Sequence, residues 1–255
     1  MSASAGLPAT FTDTIGLNWG DYDNDGNVDF HISLSHDALS ALYHNNGDGT
    51  FTNVLVAAGM FDPNGKPPPG EDFDRHGCSW GDYDSDGYLD FACSSGANSA
   101  TAFDSWDRLW HNNGNGTFNE VRSQVGLNDG VGRGRSAVWF DYDGDEDLDL
   151  FIANGPRVGA PNRLYRNDGG TFVDVSAASG LGVELQSTGG TAADYDNDGD
   201  PDLLVTTSGD GLKLFKNQGN GTFVEVGQSA GLNVASSEGA AWGDYDNDGD
   251  LDLFV

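Results

Sequence analysis

The chain has 255 residues, with 41 Asp and Glu against 11 Lys and Arg, a formal charge of −30. This balance excludes a nucleic-acid surface, which needs a basic stripe to displace counterions, and the absence of any long apolar run excludes a membrane-spanning helix. The 37% hydrophobic content suffices for one large core, and 38 glycines point to many tight turns and an all-β architecture.

The first residues, MSASAGLPAT, lack the basic start and apolar stretch of a signal peptide. The first pattern along the chain is GDYDNDGNVDF, Gly20 to Phe30. It returns as GDYDSDGYLDF from Gly81, FDYDGDEDLDL from Phe140, ADYDNDGDPDL from Ala193 and GDYDNDGDLDL from Gly243. Each copy sets Asp at positions 1, 3, 5 and 9 of a nine-residue loop: 21–29, 82–90, 141–149, 194–202 and 244–252.

Calcium takes six to eight hard oxygen ligands at about 2.3–2.6 Å in flexible geometry. Alternate residues of a curled loop can aim three short carboxylates inward, position 7 can add its backbone carbonyl, and the Asp at position 9 can close the shell. The predicted ligands are Asp21, Asp23, Asp25, Asn27 and Asp29 in the first loop, and Asp82, Asp84, Asp86, Tyr88 and Asp90 in the second. They continue as Asp141, Asp143, Asp145, Asp147 and Asp149, then Asp194, Asp196, Asp198, Asp200 and Asp202, then Asp244, Asp246, Asp248, Asp250 and Asp252. Glycine at position 6 suits a turn that needs φ > 0.

Turn chemistry alone would account for one acidic loop; five in register predict up to five Ca2+ sites. Ten positive charges would bring the chain to about −20. An EF-hand is excluded, since it needs Glu at position 12, where this chain has Ile32, Cys93, Ile152, Val205 and Val255.

The loops recur at intervals of 61, 59, 53 and 50 residues, the scale of a propeller blade. A first strand precedes each loop, with Trp19, Trp80, Trp139, Ala192 or Trp242 two residues before the first Asp. A second follows it, as in LDLFIAN, apolar on both faces like a strand buried between layers. LYHNNGDGTF from Leu42, LWHNNGNGTF from Leu109, LYRNDGGTF from Leu164 and LFKNQGNGTF from Leu214 read as hairpins of a third and fourth strand. A connection follows, ending in Gly-Leu at Gly126-Leu127, Gly180-Leu181 and Gly231-Leu232. The expected fold is an all-β propeller of four-stranded antiparallel blades, one domain over residues 1–255, with four complete units and a partial fifth.

The DxDxDGxxD loop and the NxGNGTF hairpin together resemble the FG-GAP repeat in its VCBS-type form, known from integrin α-subunit propellers, over nearly the whole chain. The resemblance implies a Ca2+-stabilised propeller used in adhesion or ligand binding, mostly without catalysis. Sites tuned to abundant Ca2+ suggest a secreted, periplasmic or cell-surface protein, with a leader or further region upstream of this chain. Three departures stand out. Glu146 replaces the glycine of loop three, so that turn must strain or change; Pro201 fills position 8 of loop four; and the fifth unit has no hairpin. ATFTD, Ala9 to Asp13, resembles a fourth strand. The chain is then either a five-bladed ring closed by that strand, with one thin blade, or part of a larger propeller, the reading we expect.

The hairpin shares a face with the acidic loop, and its length is nearly fixed. The opposite face carries loops of variable length, which suits recognition. Its two longest loops bring Phe61, Phe73, Phe103 and Trp106 beside Asp72, Arg75, His76, Asp104, Asp107 and Arg108. Phe61, Phe73, Arg75, His76, Phe103, Trp106 and Arg108 are the candidate contacts for a glycan or protein ligand; alternatively the aromatics pin the loops to the ring.

No nucleophile elbow, HExxH or phosphate-cradling loop is present, and no catalytic residue is assigned. A polysaccharide lyase or hydrolase using Arg75 or His76, or a structural spacer, are the alternatives. His44 and His111 share a repeat position with Arg166 and Lys216 and read as exposed basic strand residues. Cys78 and Cys93 sit nearly opposite if the flanking strands pair, as a disulfide or as two buried thiols.

Overall fold

The structure is a computed structural model that describes residues 3–8, 14–34, 40–60, 75–95, 107–127, 132–155 and 160–255. Four sheets of four antiparallel strands follow one another, each in sequential order. They are β1 (Thr14–Gly20) to β4 (Phe51–Asn53), by way of β2 (Asp29–Leu34) and β3 (Ala41–Asn45), and then β5 (Arg75–Gly81), β6 (Asp90–Ser95), β7 (Arg108–Asn112) and β8 (Phe118–Glu120). The third sheet comprises β9 (Gly134–Phe140), β10 (Asp149–Asn154), β11 (Arg163–Asn167) and β12 (Phe172–Asp174). The fourth comprises β13 (Ser187–Ala193), β14 (Asp202–Thr207), β15 (Lys213–Asn217) and β16 (Phe223–Glu225). A fifth sheet has only β17 (Ala241–Gly243) and β18 (Asp252–Phe254). This is the expected propeller-like repeat fold of four full units and a partial fifth.

The local reasons are those of the sequence pattern. Strands β6, β10 and β14 are buried at every residue, as a run apolar on both faces requires when sheets cover both sides. In the first hairpin Asn46 N–H donates to Thr50 O at 3.0 Å, and Gly47 and Gly49 take φ of 72° and 87°, which glycine reaches without a Cβ clash.

Blades meet face to face across aromatic layers. Tyr22 of the first loop stacks on Trp80 of the next blade, centroids 6.2 Å apart and planes 12° apart, with Phe118 at 5.7 Å. Glycine before the first Asp makes room for that tryptophan: a Cβ on Gly20 would lie 2.9 Å from Trp80 Cδ1, and one on Gly81 2.8 Å from Trp139 Cδ1. Each indole also donates backwards, Trp80 Nε1 to Asn18 O and Trp139 Nε1 to Ser79 O, both at 3.4 Å. Where no neighbouring blade stands among the described residues, the same positions are bare: Trp19 is 56% exposed and Tyr245 69%.

A second tie between blades comes from the asparagine ending each third strand. Asn112 Nδ2 donates to Tyr22 O at 2.8 Å, Asn167 Nδ2 to Tyr83 O at 2.7 Å and Asn217 Nδ2 to Tyr142 O at 2.7 Å. These asparagines are fully buried, so each staples its own hairpin to the acidic loop of the blade before.

Ahead of the first blade, Gly6 lies against the Phe51 backbone as Gly126 lies against Phe172, so Gly6-Leu7 takes the seat of an inter-blade connection. The strand expected at 9–13 lies outside the described residues. Cys78 and Cys93 face each other in the β5–β6 register and form a disulfide, which decides between the two readings left open.

Removing the staple should cost more than removing its unstapled counterpart. Asn112→Ala leaves two carbonyls without their buried donor and should destabilise by about 1–3 kcal/mol. Asn45→Ala loses side-chain bonds within its own blade alone, to Val28 O and from Gly47 N–H, and should cost less. Urea denaturation of both variants checks the order.

Candidate metal sites and the opposite face

Each acidic loop is wound around its own first and last carboxylates. Asp21 Oδ1 accepts Asp25 N–H at 3.1 Å and Asp21 Oδ2 accepts Gly26 N–H at 2.9 Å. The same two bonds recur in every copy, on Asp82, Asp141, Asp194 and Asp244. The position-9 carboxylate closes the loop: Asp29 Oδ2 accepts Tyr22 N–H at 3.3 Å, and Asp29 Oδ1 accepts Asn45 N–H at 2.7 Å from the hairpin. Asp90, Asp149 and Asp202 repeat both contacts. Acidic loop and hairpin therefore share one face, as expected.

Two residues per loop adopt the left-handed region, not one. Position 6 is glycine except in loop three, where Glu146 takes φ 73° and still donates its N–H to Asp141 Oδ2 at 3.0 Å. The loop has kept its shape and accepted the strain. Position 4 is the second such site: Asn24, Ser85, Asn197 and Asn247 have φ between 56° and 60°, and loop three has Gly144 there at 77°. The recurring Asn, Ser and Gly at this position are the signal that sequence reasoning passed over.

These carboxylates converge. One oxygen each from Asp21, Asp23 and Asp25 lie within 4.8 Å of one another, as do those of Asp82, Asp84 and Asp86, and of Asp141, Asp143 and Asp149. The arrangement suits a cation on two counts. Asp23 Oδ1 is buried without a hydrogen-bond partner, and burial of the position-9 groups works against their charge. It raises Asp29 and Asp202 to about 6, Asp149 to about 7 and Asp90 to about 8, against the pull of their two N–H donors. Position 7 stands at the hairpin: Gly169 N–H donates to Asp147 Oδ2 at 2.9 Å. Asp147 and Asp200 thus also serve as side-chain contacts to the hairpin, Asp200 Oδ2 lying where a Cβ on Gly219 would come within 2.6 Å.

His44 and His111 depart from the expectation of exposed basic residues. Their side chains are only about a quarter exposed, and the pleat turns them onto the acidic loop of their own blade. In unit four the equivalent Lys216 pairs with Asp196 and Asp198; in unit three Arg166 turns to Asp168 at 2.7 Å.

On the opposite face, β1, β5 and β13 with Arg135 of β9 line a cavity of ≈ 460 Å³. His76 and Arg135 stand in it beside Ser187, Thr188, Ser208 and Glu238, and Arg135 donates to His76 Nδ1 at 2.5 Å. Of the proposed ligand contacts, His76 and Arg108 are both buried. Asp107 is tied down too, its Oδ1 accepting Ser95 N–H at 2.8 Å. Phe61, Asp72, Phe73, Phe103, Asp104 and Trp106 lie outside the described residues, as does the side chain of Arg75. The cavity was not visible in the sequence because it needs inner strands from separate repeats.

Glu146→Gly relieves a left-handed non-glycine residue and should stabilise the fold by about 1 kcal/mol, read as a shift of the denaturation midpoint. The pH dependence has an unusual sign. A carboxylate whose folded pKa lies above its unfolded 3.8 binds more protons when folded, so stability is present at low pH and lost as pH rises toward about 8. In chelator the melting temperature should fall between pH 5 and pH 8. In excess divalent cation, which favours the ionised carboxylates, that fall should be reduced or reversed.

Comparison with known proteins agrees with this geometry. The FG-GAP-like repeat matches at residues 21–93, 82–152, 141–205 and 194–255. Cartilage acidic protein 1 of Homo sapiens is 27% identical over 180 residues, 65% of this chain but 24% of its own length, and the Mus musculus protein gives the same figures. The match thus spans about a quarter of those relatives. A lectin of Agrocybe aegerita, solved for its specific recognition of non-reducing terminal N-acetylglucosamine, shares the fold at a TM-score of 0.56. It is 19% identical and covers 97% of this chain and 61% of its own. With its loops, hairpins and inter-blade ties repeated through four matched stretches, this chain belongs to the FG-GAP-like repeat family.

Proposed function

We propose that the chain is a calcium-braced recognition module of a secreted or cell-surface protein, and that it binds a glycan on the face opposite its acidic loops. The observation that carries this reading is the division of labour between the faces. The acidic-loop face repeats the same loop bonds in every unit and the same hairpin bonds in the four full ones, and its position-1 and position-9 carboxylates and its asparagines are taken up in holding loop, hairpin and neighbouring blade together. The opposite face has the polar cavity, with hydroxyl, carboxylate, imidazole and guanidinium groups in a space that accommodates a sugar ring. A glycan ligand is also what the fold neighbour from Agrocybe aegerita recognises.

Calcium would be held by Asp21, Asp23, Asp25, the carbonyl of residue 27 and Asp29, and by their counterparts. It supplies the charge that four crowded carboxylates lack. Because it binds the folded loop, one site at a hundredfold excess over its dissociation constant contributes about 2.7 kcal/mol, which is roughly 5–10 °C in melting temperature for a chain of this size. Calorimetry in Ca2+ and in chelator measures this, and superimposed melting curves would sink the calcium assignment.

Recognition is tested separately on a glycan array. Glu238→Gln and Ser208→Ala change exposed cavity residues and should reduce binding at least tenfold with little change in melting temperature. Asp86→Ala should do the reverse, lowering Ca2+-dependent stability more than binding. Binding unaffected by both cavity variants would place recognition elsewhere, and an array without a ligand would favour a spacer.

A further inference from the structure

We propose that His44 and His111 make the first two acidic loops mixed nitrogen and oxygen centres that accept a first-row transition-metal dication, which the third and fourth loops do not. The inference rests on the calcium reading for the loops as a class and goes beyond it for these two. His44 Nδ1 lies 3.2 Å from Asp23 Oδ2 and 3.3 Å from Asp29 Oδ1. His111 Nδ1 lies 3.2 Å from Asp84 Oδ2 and 3.3 Å from Asp90 Oδ1. The same triangle is thus built twice, with carboxylates 61 residues apart and histidines 67 apart.

Both Nδ1 atoms are buried and have no hydrogen-bond partner. A neutral imidazole turns that nitrogen's lone pair toward two carboxylate oxygens, a repulsion a cation relieves, whereas a protonated one pairs with them itself at these distances, so metal binding displaces that proton. The two nitrogen–oxygen spacings of each triangle fit a bound cation, and the donor atoms of Asp23, Asp29 and His44, like those of Asp84, Asp90 and His111, all lie within 4.8 Å of one another. Ligands at about 2.0–2.2 Å from a common ion lie about 3.0–3.4 Å apart, whether the ion is octahedral or tetrahedral. Each of the three atoms keeps a lone pair for it, since a carboxylate oxygen that accepts one N–H can still bind a cation.

The ligand type decides which ion. Imidazole nitrogen suits zinc, cobalt or nickel far better than Ca2+, which prefers oxygen throughout. At the equivalent strand position Lys216 occupies the carboxylates of Asp196 and Asp198 with its own charge, and Arg166 is turned away on Asp168. Neither offers a lone pair while charged. A cation drawn toward His44 would share Asp23 and Asp29 with the calcium position, so the two ions should compete in loops one and two and not elsewhere.

Cobalt is the probe, because its visible absorption reports nitrogen and oxygen ligation directly. The whole chain, stripped with chelator, should take up two equivalents of Co2+ with a ligand-field band, and Ca2+ should displace them. In the double variant His44→Gln, His111→Gln the band should vanish and Co2+ affinity should fall at least tenfold, while the Ca2+-dependent rise in melting temperature persists. Two bound Co2+ with an unchanged band in the double variant would overturn the proposal, as would no Co2+ binding in the wild type. If Ca2+ fails to raise the melting temperature of the wild type, the calcium reading falls on its own, and the cobalt comparison still decides the role of the two histidines.

Discussion

One buried carboxylate per blade holds this architecture in register. Asp29, Asp90 and Asp149 are fully buried and Asp202 nearly so, and each accepts one N–H from the tyrosine at the start of its loop and one from the asparagine that ends its third strand. A charge in that position is expensive unless it is hydrogen-bonded or neutralised. Two backbone donors meet part of the cost, and burial, with repulsion from the neighbouring carboxylates, still raises the pKa of each group. A cation in the loop would supply the remainder. Second strand, acidic loop and hairpin therefore form one electrostatic unit.

The same unit reaches its neighbour through the asparagine. Its backbone serves its own blade while its side chain bonds the tyrosine carbonyl of the preceding loop, and that tyrosine's ring stacks on the next blade's tryptophan. Polar and aromatic contacts thus cross each interface together. Changes at one loop should be felt in the adjacent blade, because an isolated blade cannot bury both faces of its own sheet. The disulfide between Cys78 and Cys93 adds a covalent tie within blade two, close to the cavity.

This construction leaves the two faces with different freedoms. On the acidic-loop face nearly every polar side chain is committed, and even the odd loop with Glu146 retains the common geometry. The residue beside the loop on the third strand is the exception, varying among His44, His111, Arg166 and Lys216, so the surroundings of the carboxylates differ from blade to blade while the loop itself does not. On the opposite face, side chains from separate inner strands meet around one cavity without a repeated set of bonds. The variation a binding module needs is available there at little cost to the scaffold.

Sequence alone determined the repeat, the four-strand unit, the shared face of loop and hairpin, and the family, because each is written in local spacing: carboxylates at alternate residues, apolar runs of strand length, Asn and Gly at hairpin turns. It also marked Glu146 as out of place, though not that the loop would keep its shape. The second left-handed position was legible in Asn24, Ser85, Gly144, Asn197 and Asn247 and was missed because asparagine also suits an acidic turn for other reasons. Only the tertiary structure decided the rest. That Asn112 bonds Tyr22, that Trp80 lies on Gly20, that Cys78 is joined to Cys93, that His44 faces Asp23 and Asp29 and that Arg135 meets His76 all depend on how strands pair and blades stack. Those are relations between residues distant in the chain, and a periodic pattern fixes what each blade is without fixing which atoms of two blades, or of two strands, come into contact.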